Sequence, residues 1–129
     1  MAPRFNEPLF VISVAARLVE MHPQTLRKYE REGLVAPSRT TGNLRLYSDR
    51  DIERLRQVKY LVEERGLNLA GVQIALDMTQ SLIDLRKRLS RSLKEIEQSV
   101  DAGGELSISI QHLDRSLALL GYIPLREPS

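Results

Sequence analysis

Hydrophobic residues recur every three or four positions over much of the 129-residue chain, which is the spacing of amphipathic helices. In the N-terminal part, this spacing predicts two short helices separated by a turn. Ser13 is the expected N-cap of the first helix, and the second helix begins at Pro23 and ends at Gly33. In the first helix, hydrophobic residues recur at helical spacing, namely Val14, Ala15, Leu18 and Val19, and in the second helix Leu26 and Tyr29 form the inward edge.

After the helix pair, turn-forming residues and a short alternation predict a two-stranded hairpin that turns at Gly42 and Asn43. Residues 48–51 resemble a capping box and open a third helix that ends near Gly66. Asn68 is the expected cap of a short fourth helix. The apolar face of the third helix comprises Ile52, Leu55, Val58 and Val62.

Residues 79–100 form a longer predicted helix with a narrow hydrophobic stripe and charged residues on its other faces. Such a stripe on a charged helix is typical of a coiled-coil seam. One helix cannot bury the stripe alone, so we expect a second copy of the chain to cover it in a homodimer. The stripe comprises Leu82, Leu85, Leu89, Leu93, Ile96 and Val100.

The two ends of the chain lack this regularity. Residues 1–10 contain two prolines and no periodicity, which predicts a flexible arm. Residues 101–129 begin with a predicted helix breaker that contains two glycines, after which Leu106, Ile108 and Ile110 alternate as in a strand. Helical spacing then returns, so the secondary structure of this short apolar C-terminal tail stays open.

Charge and composition narrow the function classes. The net charge is +2, and the surplus lies in residues 1–66, with 12 Lys/Arg against 9 Asp/Glu, whereas residues 67–129 hold 7 against 8. The absence of cysteine excludes disulfides and thiolate metal sites. His22 and His112 belong to no catalytic or metal-ligand pattern, so we expect no enzyme, no metal and no cofactor. No secretion signal or bilayer-length apolar run is present, which predicts a cytoplasmic protein without membrane contact.

The helix pair and the hairpin together favour DNA binding. An α-helix fits the major groove, and a helix-turn-helix presents its second helix there. Glutamine and arginine side chains can bond adenine and guanine, whereas cationic and tyrosine side chains can also bind phosphate. The residues expected outward on the second helix are Gln24, Thr25, Arg27 and Lys28, and the candidate phosphate contacts are Arg27, Tyr29, Arg39, Arg45 and Tyr47.

Helix pairs of this kind also occur in domains that do not bind DNA, where Arg27 and Lys28 are solvated residues and Tyr29 belongs to the core. The hairpin favours DNA binding, because we expect a purely structural hairpin to have no need of Arg39 and Arg45 together. The alternative from another class is an adaptor protein that uses the long helix and the apolar tail without binding DNA.

The segment from Thr25 to Val58, TLRKYEREGLVAPSRTTGNLRLYSDRDIERLRQV, closely resembles the MerR family of bacterial transcription regulators. The resemblance covers about residues 11–78. The pieces that match the family pattern are Thr25-Leu26-Arg27-Lys28-Tyr29-Glu30, Gly33-Leu34, Pro37-Ser38-Arg39 and Arg45-Leu46-Tyr47.

The resemblance implies a mainly α protein. It predicts a winged helix-turn-helix DNA-binding domain over residues 11–78, followed by a dimerisation helix over residues 79–100 that pairs in a long antiparallel coiled coil. It also implies DNA contacts at Arg27, Tyr29, Arg45 and their neighbours. These include Asn43 on the hairpin and Arg65 in the turn between the third and fourth helices.

The segments MHPQTLR, TGNLRLYS and GLNLAGV are similar, more narrowly, to the heat-shock repressor (HspR) branch. This resemblance implies a homodimeric repressor of chaperone genes that binds an inverted-repeat operator in double-stranded DNA, with a DnaK-type chaperone as co-repressor. The apolar tail either docks that chaperone or packs on the dimerisation helix. A glutamine-synthetase-repressor-like regulator of the same family is the nearest alternative.

Overall fold

The computed structural model describes residues 5–96 and 100–123, without the side chains of residues 100–103. This part of the chain is mainly helical, as predicted, with five helices and one three-stranded antiparallel sheet. The elements in chain order are β1 Pro8–Val11, α1 Ile12–Val19, α2 Pro23–Arg31, β2 Ser38–Arg39, β3 Arg45–Ser48, α3 Asp49–Glu63, α4 Leu69–Glu95 and α5 Val100–Leu119.

The predicted flexible arm over residues 1–10 is wrong in its last part, because Pro8–Val11 forms strand β1. It pairs antiparallel with β3, with Phe10 opposite Tyr47 and Val11 opposite Leu46. The sheet order is β1-β3-β2, so β1 is an edge strand, where a proline is tolerated. A strand this short shows no period in the sequence, and only its pairing with β3 defines it.

The predicted cap of the first helix also differs from the structure. Helix α1 begins at Ile12, its N-cap Val11 makes no side-chain cap bond, and Ser13 is exposed within the helix. The helix ends at Glu20, whose φ of 55° is left-handed and whose backbone N–H bonds back to the last turn. The chain therefore turns sharply and enters α2 after two further residues.

Three local predictions are confirmed. Ser48 and Asp51 exchange side-chain to backbone hydrogen bonds of 3.1 and 2.9 Å, which is the capping box of α3. The side chain of Asn68 accepts the backbone N–H of Gly71 at 2.8 Å and caps α4. The hairpin between β2 and β3 turns where expected, with Asn43 at a left-handed φ of 63°.

One hydrophobic core joins helices α1–α4 to the sheet. On α3, the predicted apolar face is confirmed for Ile52, Leu55 and Val58, whereas Leu61 is buried and Val62 is only half-buried. Each fully buried aliphatic side chain stabilises the fold by about 1.5–3 kcal/mol relative to exposure. The other members of the core are Ala15, Ala16, Val19, Leu26, Tyr29, Leu34, Val35, Tyr47, Val72, Ala75 and Leu76.

The predicted break between a short fourth helix and a longer helix is absent. Helix α4 runs without interruption over 27 residues, Leu69–Glu95, which gives a rod of about 40 Å. The rod joins the predicted DNA-binding domain, residues 11–78, directly to the predicted dimer seam. Ile96 is its C-cap and Val100 begins α5, so the last two residues of the predicted seam lie beyond the rod, and residues 97–99 lie outside the described residues.

The predicted breaker at 101–104 and the strand-like alternation after it are both wrong, because Val100–Leu119 is one helix. Helix α5 packs against α4, where Arg86 and Asp114 form an ion pair of 3.1 Å. Packing against α4 outweighs the tendency of the two glycines to break a helix. The segment therefore follows the helical spacing of its hydrophobic residues and not their strand-like alternation. The residues of α5 that this period keeps least exposed are Leu106, Ile110, Leu113 and Leu117.

The end of α5 is fixed to the predicted DNA-binding domain by a contact that we name the Gln57 junction. The amide Nε2 of Gln57 on α3 donates to Thr79 Oγ1 at 2.8 Å and to the carbonyl of Leu120 at 3.0 Å. Gly121 follows with a φ of 82° and lies against the ring of Tyr60, where a Cβ would overlap the ring. Both the backbone conformation and the close approach therefore require glycine at this position.

We expect Gly121→Ala to lower the free energy of unfolding by about 2–4 kcal/mol, because it adds a steric overlap to a left-handed backbone. Gly33→Ala is the matched control, since Gly33 has a similar φ of 78° with nothing within 4 Å of the added Cβ. That variant should lose only about 1–2 kcal/mol. Urea unfolding measures both values, and equal losses would contradict the tight contact with Tyr60.

Candidate nucleic-acid interface

Helix α2 is oriented so that one polar side faces solvent. Its N-cap is His22, whose Nδ1 accepts the backbone N–H of Gln24 at 3.1 Å, and Pro23 occupies the first helical position as predicted. Leu26 and Tyr29 are buried, so the opposite side of the helix lies at the surface. We name this side the cationic face of α2, and it comprises Gln24, Arg27, Lys28 and Arg31.

The predicted base contacts lie on or beside this face. Gln24 and Lys28 are exposed, whereas Thr25 and Arg27 are half-buried. Arg31 was missed by the sequence prediction, although it is exposed and follows Gln24 by seven residues, which is two helical turns. The face carries three positive charges, which suits a surface lined with phosphate.

The hairpin is connected to α2 through a single carboxylate. Glu30 accepts a hydrogen bond of 2.9 Å from Arg39 at Oε2 and another from Nε of Arg45 at Oε1. The two arginines are opposite one another in the pairing of β2 with β3. Both therefore hold the hairpin in place, which corrects the expectation that a structural hairpin has no need of them together.

Arg39 also fixes the turn of the hairpin. Its Nη1 donates to the backbone carbonyl and to Oδ1 of Asn43, both at 3.3 Å. Thr40 closes the turn, because its Oγ1 accepts the N–H of Leu44 at 3.1 Å and its own N–H donates to the carbonyl of Leu44 at 3.0 Å. Asn43, a predicted DNA contact, is thus exposed near the tip while it orients Arg39.

Glu30 is the electrostatic centre of this arrangement. Partial burial opposes its ionisation, but the hydrogen bonds and charges of Arg45 and Arg39 outweigh burial, so the pKa of Glu30 lies below its ordinary value. Glu30 is therefore fully ionised near neutral pH. The sequence prediction quoted this residue in the family pattern but gave it no role, although it is the only acidic residue of α2.

Two predicted phosphate contacts, Tyr29 and Tyr47, belong to the hydrophobic core. Tyr29 is 7% exposed and Tyr47 is fully buried. Burial raises the pKa of both phenols, and the hydroxyl of Tyr47 has no hydrogen-bond partner within the part of the chain that is described. The surface role predicted for Tyr47 is contradicted, because β3 is the central strand of the sheet and its last two residues are covered.

The turn between α3 and α4 contains Arg65, a predicted DNA contact. Gly66 has a left-handed φ of 66° and allows the chain to reverse after α3. Arg65 and Asn68 are both exposed in this turn. The structure therefore leaves Arg65 accessible, as a phosphate contact requires.

Helix α3 holds the helix pair and the loop that follows α2 in fixed positions. Lys59 donates from Nζ to the carbonyls of Val19 and Glu20 at 3.3 and 3.2 Å, which satisfies the free carbonyl end of α1. Arg54 donates from Nε to the carbonyl of Leu34, immediately after α2. The desolvated guanidinium of Arg54 has its pKa lowered by burial and by Arg50.

The groups gathered at α2 and the hairpin are guanidinium, ammonium and amide groups, which bind phosphate by charge-assisted hydrogen bonds. Within residues 5–96 and 100–123, His, Asp and Glu side chains form no group of three that could hold a metal ion. Over the same residues, no helix combines the length and the apolarity needed to span a membrane.

Sequence comparison identifies the domain that carries this surface. Residues 10–79 match the family model described as MerR HTH family regulatory protein. The chain belongs to the MerR family. The matched range spans the helix pair, the hairpin, α3 and the first part of α4, so the predicted family is confirmed and the protein is a DNA-binding transcriptional regulator.

The most informative relatives support this assignment. The chain is 45% identical over 97 residues to a Streptomyces coelicolor protein named heat shock protein HspR, a match that covers 75% of this chain and 64% of that relative. It is 35% identical over 96 residues to the HTH-type transcriptional regulator GlnR of Bacillus anthracis, covering 74% and 73%. The predicted similarity to the heat-shock repressor branch is confirmed, and relatives named as regulators point away from an enzyme.

We expect Tyr47→Phe to leave DNA binding unchanged and to change stability by less than about 1 kcal/mol, because the deleted hydroxyl is buried without a partner. Tyr47→Ala should instead lose about 3–5 kcal/mol through the cavity it creates. Electrophoretic mobility shifts and thermal unfolding measure the two effects. If a stably folded Tyr47→Phe variant bound DNA more weakly, the phosphate contact that the sequence predicts for Tyr47 would be supported.

Proposed function

We propose that this MerR-family regulator is a cytoplasmic homodimeric repressor of heat-shock chaperone genes that binds an inverted-repeat operator. The observation that carries the proposal is the cationic face of α2 beside a hairpin fixed by Glu30. In this proposal α2 enters a major groove, where Gln24 and Arg27 contact base edges. The surrounding cations bind the phosphate backbone: Lys28, Arg31, Arg39, Arg45 and Arg65.

The heat-shock assignment rests on similarity to a named relative. Identity of 45% to the HspR protein extends over 75% of this chain and well beyond the helix pair and the hairpin. The matched part of the chain spans 64% of the length of that relative. We therefore propose that this chain resembles that relative both in its DNA-binding surface and in the genes that it controls.

The proposed dimer rests on an exposed hydrophobic stripe along the rod. Ile74, Met78 and Leu85 are 62%, 52% and 38% exposed, and their spacing of four and seven residues places them on one side of α4. Leu85 belongs to the predicted seam, whereas Ile74 and Met78 extend it toward the DNA-binding half. The remaining seam residues described in α4 or at its cap are half-buried, namely Leu82, Leu89, Leu93 and Ile96.

A second copy paired along this stripe relates the two α2 helices by a two-fold axis, which matches an operator of inverted repeats. We expect the double variant Met78→Glu, Leu85→Glu to become monomeric and to lose operator binding, because each substitution places a charge in the seam. Analytical ultracentrifugation and mobility shifts measure the two properties. A double variant that stays dimeric with full affinity would show that the seam is misassigned.

Lys87→Glu is the matched control for the dimer test. It lies nine residues after Met78, which is two and a half turns and therefore the opposite side of the rod. It changes the net charge by the same amount as the double variant. Loss of dimerisation in this control as well would point to a general charge effect.

The proposed co-repressor is a DnaK-type chaperone that docks on the C-terminal tail. Ile108, Leu119 and Ile123 are exposed, which supports an apolar docking surface. Leu106 and Ile110 are half-buried and Leu117 is buried. Packing within the chain therefore explains why these three positions of the tail are apolar. Only the exposed members remain as candidate contacts for the chaperone.

A second candidate function is a regulator of the glutamine-synthetase-repressor type. The observation that favours it is the match to GlnR, which covers 73% of that relative against 64% of the HspR protein, although the identity is lower. The two candidates share the DNA-binding surface and differ in the genes they control.

A genome-wide pull-down of bound DNA, before and after heat stress, tests the proposal. We expect sites upstream of chaperone genes that are lost on heating, because a heat-shock repressor must release them. Sites beside glutamine-synthetase genes that persist on heating would favour the second candidate. Recovery of no enriched sites would contradict both.

A further inference from the structure

We infer that Glu30 determines DNA specificity: it positions Arg39 and Arg45 for the operator and reduces affinity for all other DNA. This inference rests on the proposed binding of an operator by α2 and the hairpin. Glu30 itself need not touch DNA, so it is a positioning residue that acts through the two arginines.

The carboxylate of Glu30 places one negative charge among the cationic side chains that are proposed to bind phosphate. Glu30 is the residue next to Arg31 on α2, and its side chain, which forms ion pairs with both guanidinium groups, is only 22% exposed. Arg45 uses Nε for this contact, and within the described residues no other hydrogen bond involves its side chain. The terminal nitrogens of Arg45 therefore remain available to a phosphate oxygen or a base edge.

A carboxylate at this position has two opposite effects on binding. It repels the phosphate backbone, and it cancels one of the two positive charges of the hairpin, so it weakens the electrostatic attraction that every DNA sequence offers. It also fixes both arginines in one geometry before binding, which lowers the entropic cost of ordering two long side chains. The first effect penalises non-specific DNA, and the second favours a sequence whose backbone shape fits the fixed arginine geometry.

The fixed geometry extends over the whole hairpin. Arg39 is held by Glu30 at 2.9 Å and by Asn43 at two acceptors, so the carboxylate also sets the position of the turn. β2 contains only two residues and both are exposed, so strand pairing by itself constrains the hairpin weakly. Removing the carboxylate should therefore release both arginines and the turn together.

The test compares wild-type protein with Glu30→Gln on two probes: a duplex recovered in the genome-wide pull-down and a random-sequence duplex of the same length. We expect binding to the recovered duplex to weaken by about tenfold, because two arginine contacts lose their fixed position. Binding to the random duplex should tighten by about two- to fivefold, with a steeper salt dependence, because a positive charge is set free.

Glu32→Gln is the matched control, since it removes the same charge from the same helix end. Glu32 is an exposed C-cap residue of α2 and takes part in none of the ion pairs of the described chain. We expect this variant to shift binding to both probes in parallel and to leave their ratio unchanged. A purely electrostatic role for Glu30 would make the two variants behave alike, which would overturn the inference.

Glu30→Asp separates geometry from charge and covers the case in which Glu30→Gln folds poorly. The shorter side chain keeps the negative charge but cannot reach both arginines in the same way. It should weaken binding to the recovered duplex without tightening binding to the random duplex. Unchanged selectivity in a folded Glu30→Asp or Glu30→Gln variant would overturn the inference, whereas a wild-type protein without selectivity would overturn the proposed function and the inference with it.

Discussion

The bridge from one glutamate to two arginines is the interaction on which the proposed DNA-binding surface depends. Helix α2 and the hairpin are joined in sequence only by a loop, and β2 is a two-residue strand with exposed side chains. Hydrophobic burial holds α2 through Leu26 and Tyr29, but no comparable burial reaches the outer strand. The ionic contacts of Glu30 therefore tie β2 and the turn to α2, whereas β3 is held by its pairing with β1 and by the burial of Tyr47.

The continuous rod α4 imposes a second constraint, because it belongs to both halves of the molecule. Its first turns pack in the core through Val72, Ala75 and Leu76, and its later turns pack against α5. The Gln57 junction then brings the end of α5 back to α3, so a single buried amide bonds to α4 and to the residue after α5. Buried hydrogen bonds of this kind are costly to leave unsatisfied, which couples the C-terminal segment to the DNA-binding half.

The elements that sequence reasoning predicted well have short-range causes. The capping box at Ser48, the cap at Asn68 and the proline that opens α2 each depend on neighbours within four residues. The elements that it missed have long-range causes. Strand β1 exists because β3 pairs with it, and α5 is helical through two glycines because α4 offers it an apolar face.

The amino-acid sequence by itself determined the helix pair, the hairpin, the outward residues of α2 and the MerR family, because periodicity, caps and motif spacing are local properties. Only the tertiary structure decided which side chains meet: Glu30 contacts residues 9 and 15 positions away, and Gln57 contacts a carbonyl 63 positions away. It also decided that Tyr47 is buried, since a strand's alternation does not say which face is covered. Contacts between distant residues follow from how elements pack, and no spacing along the chain encodes that packing directly.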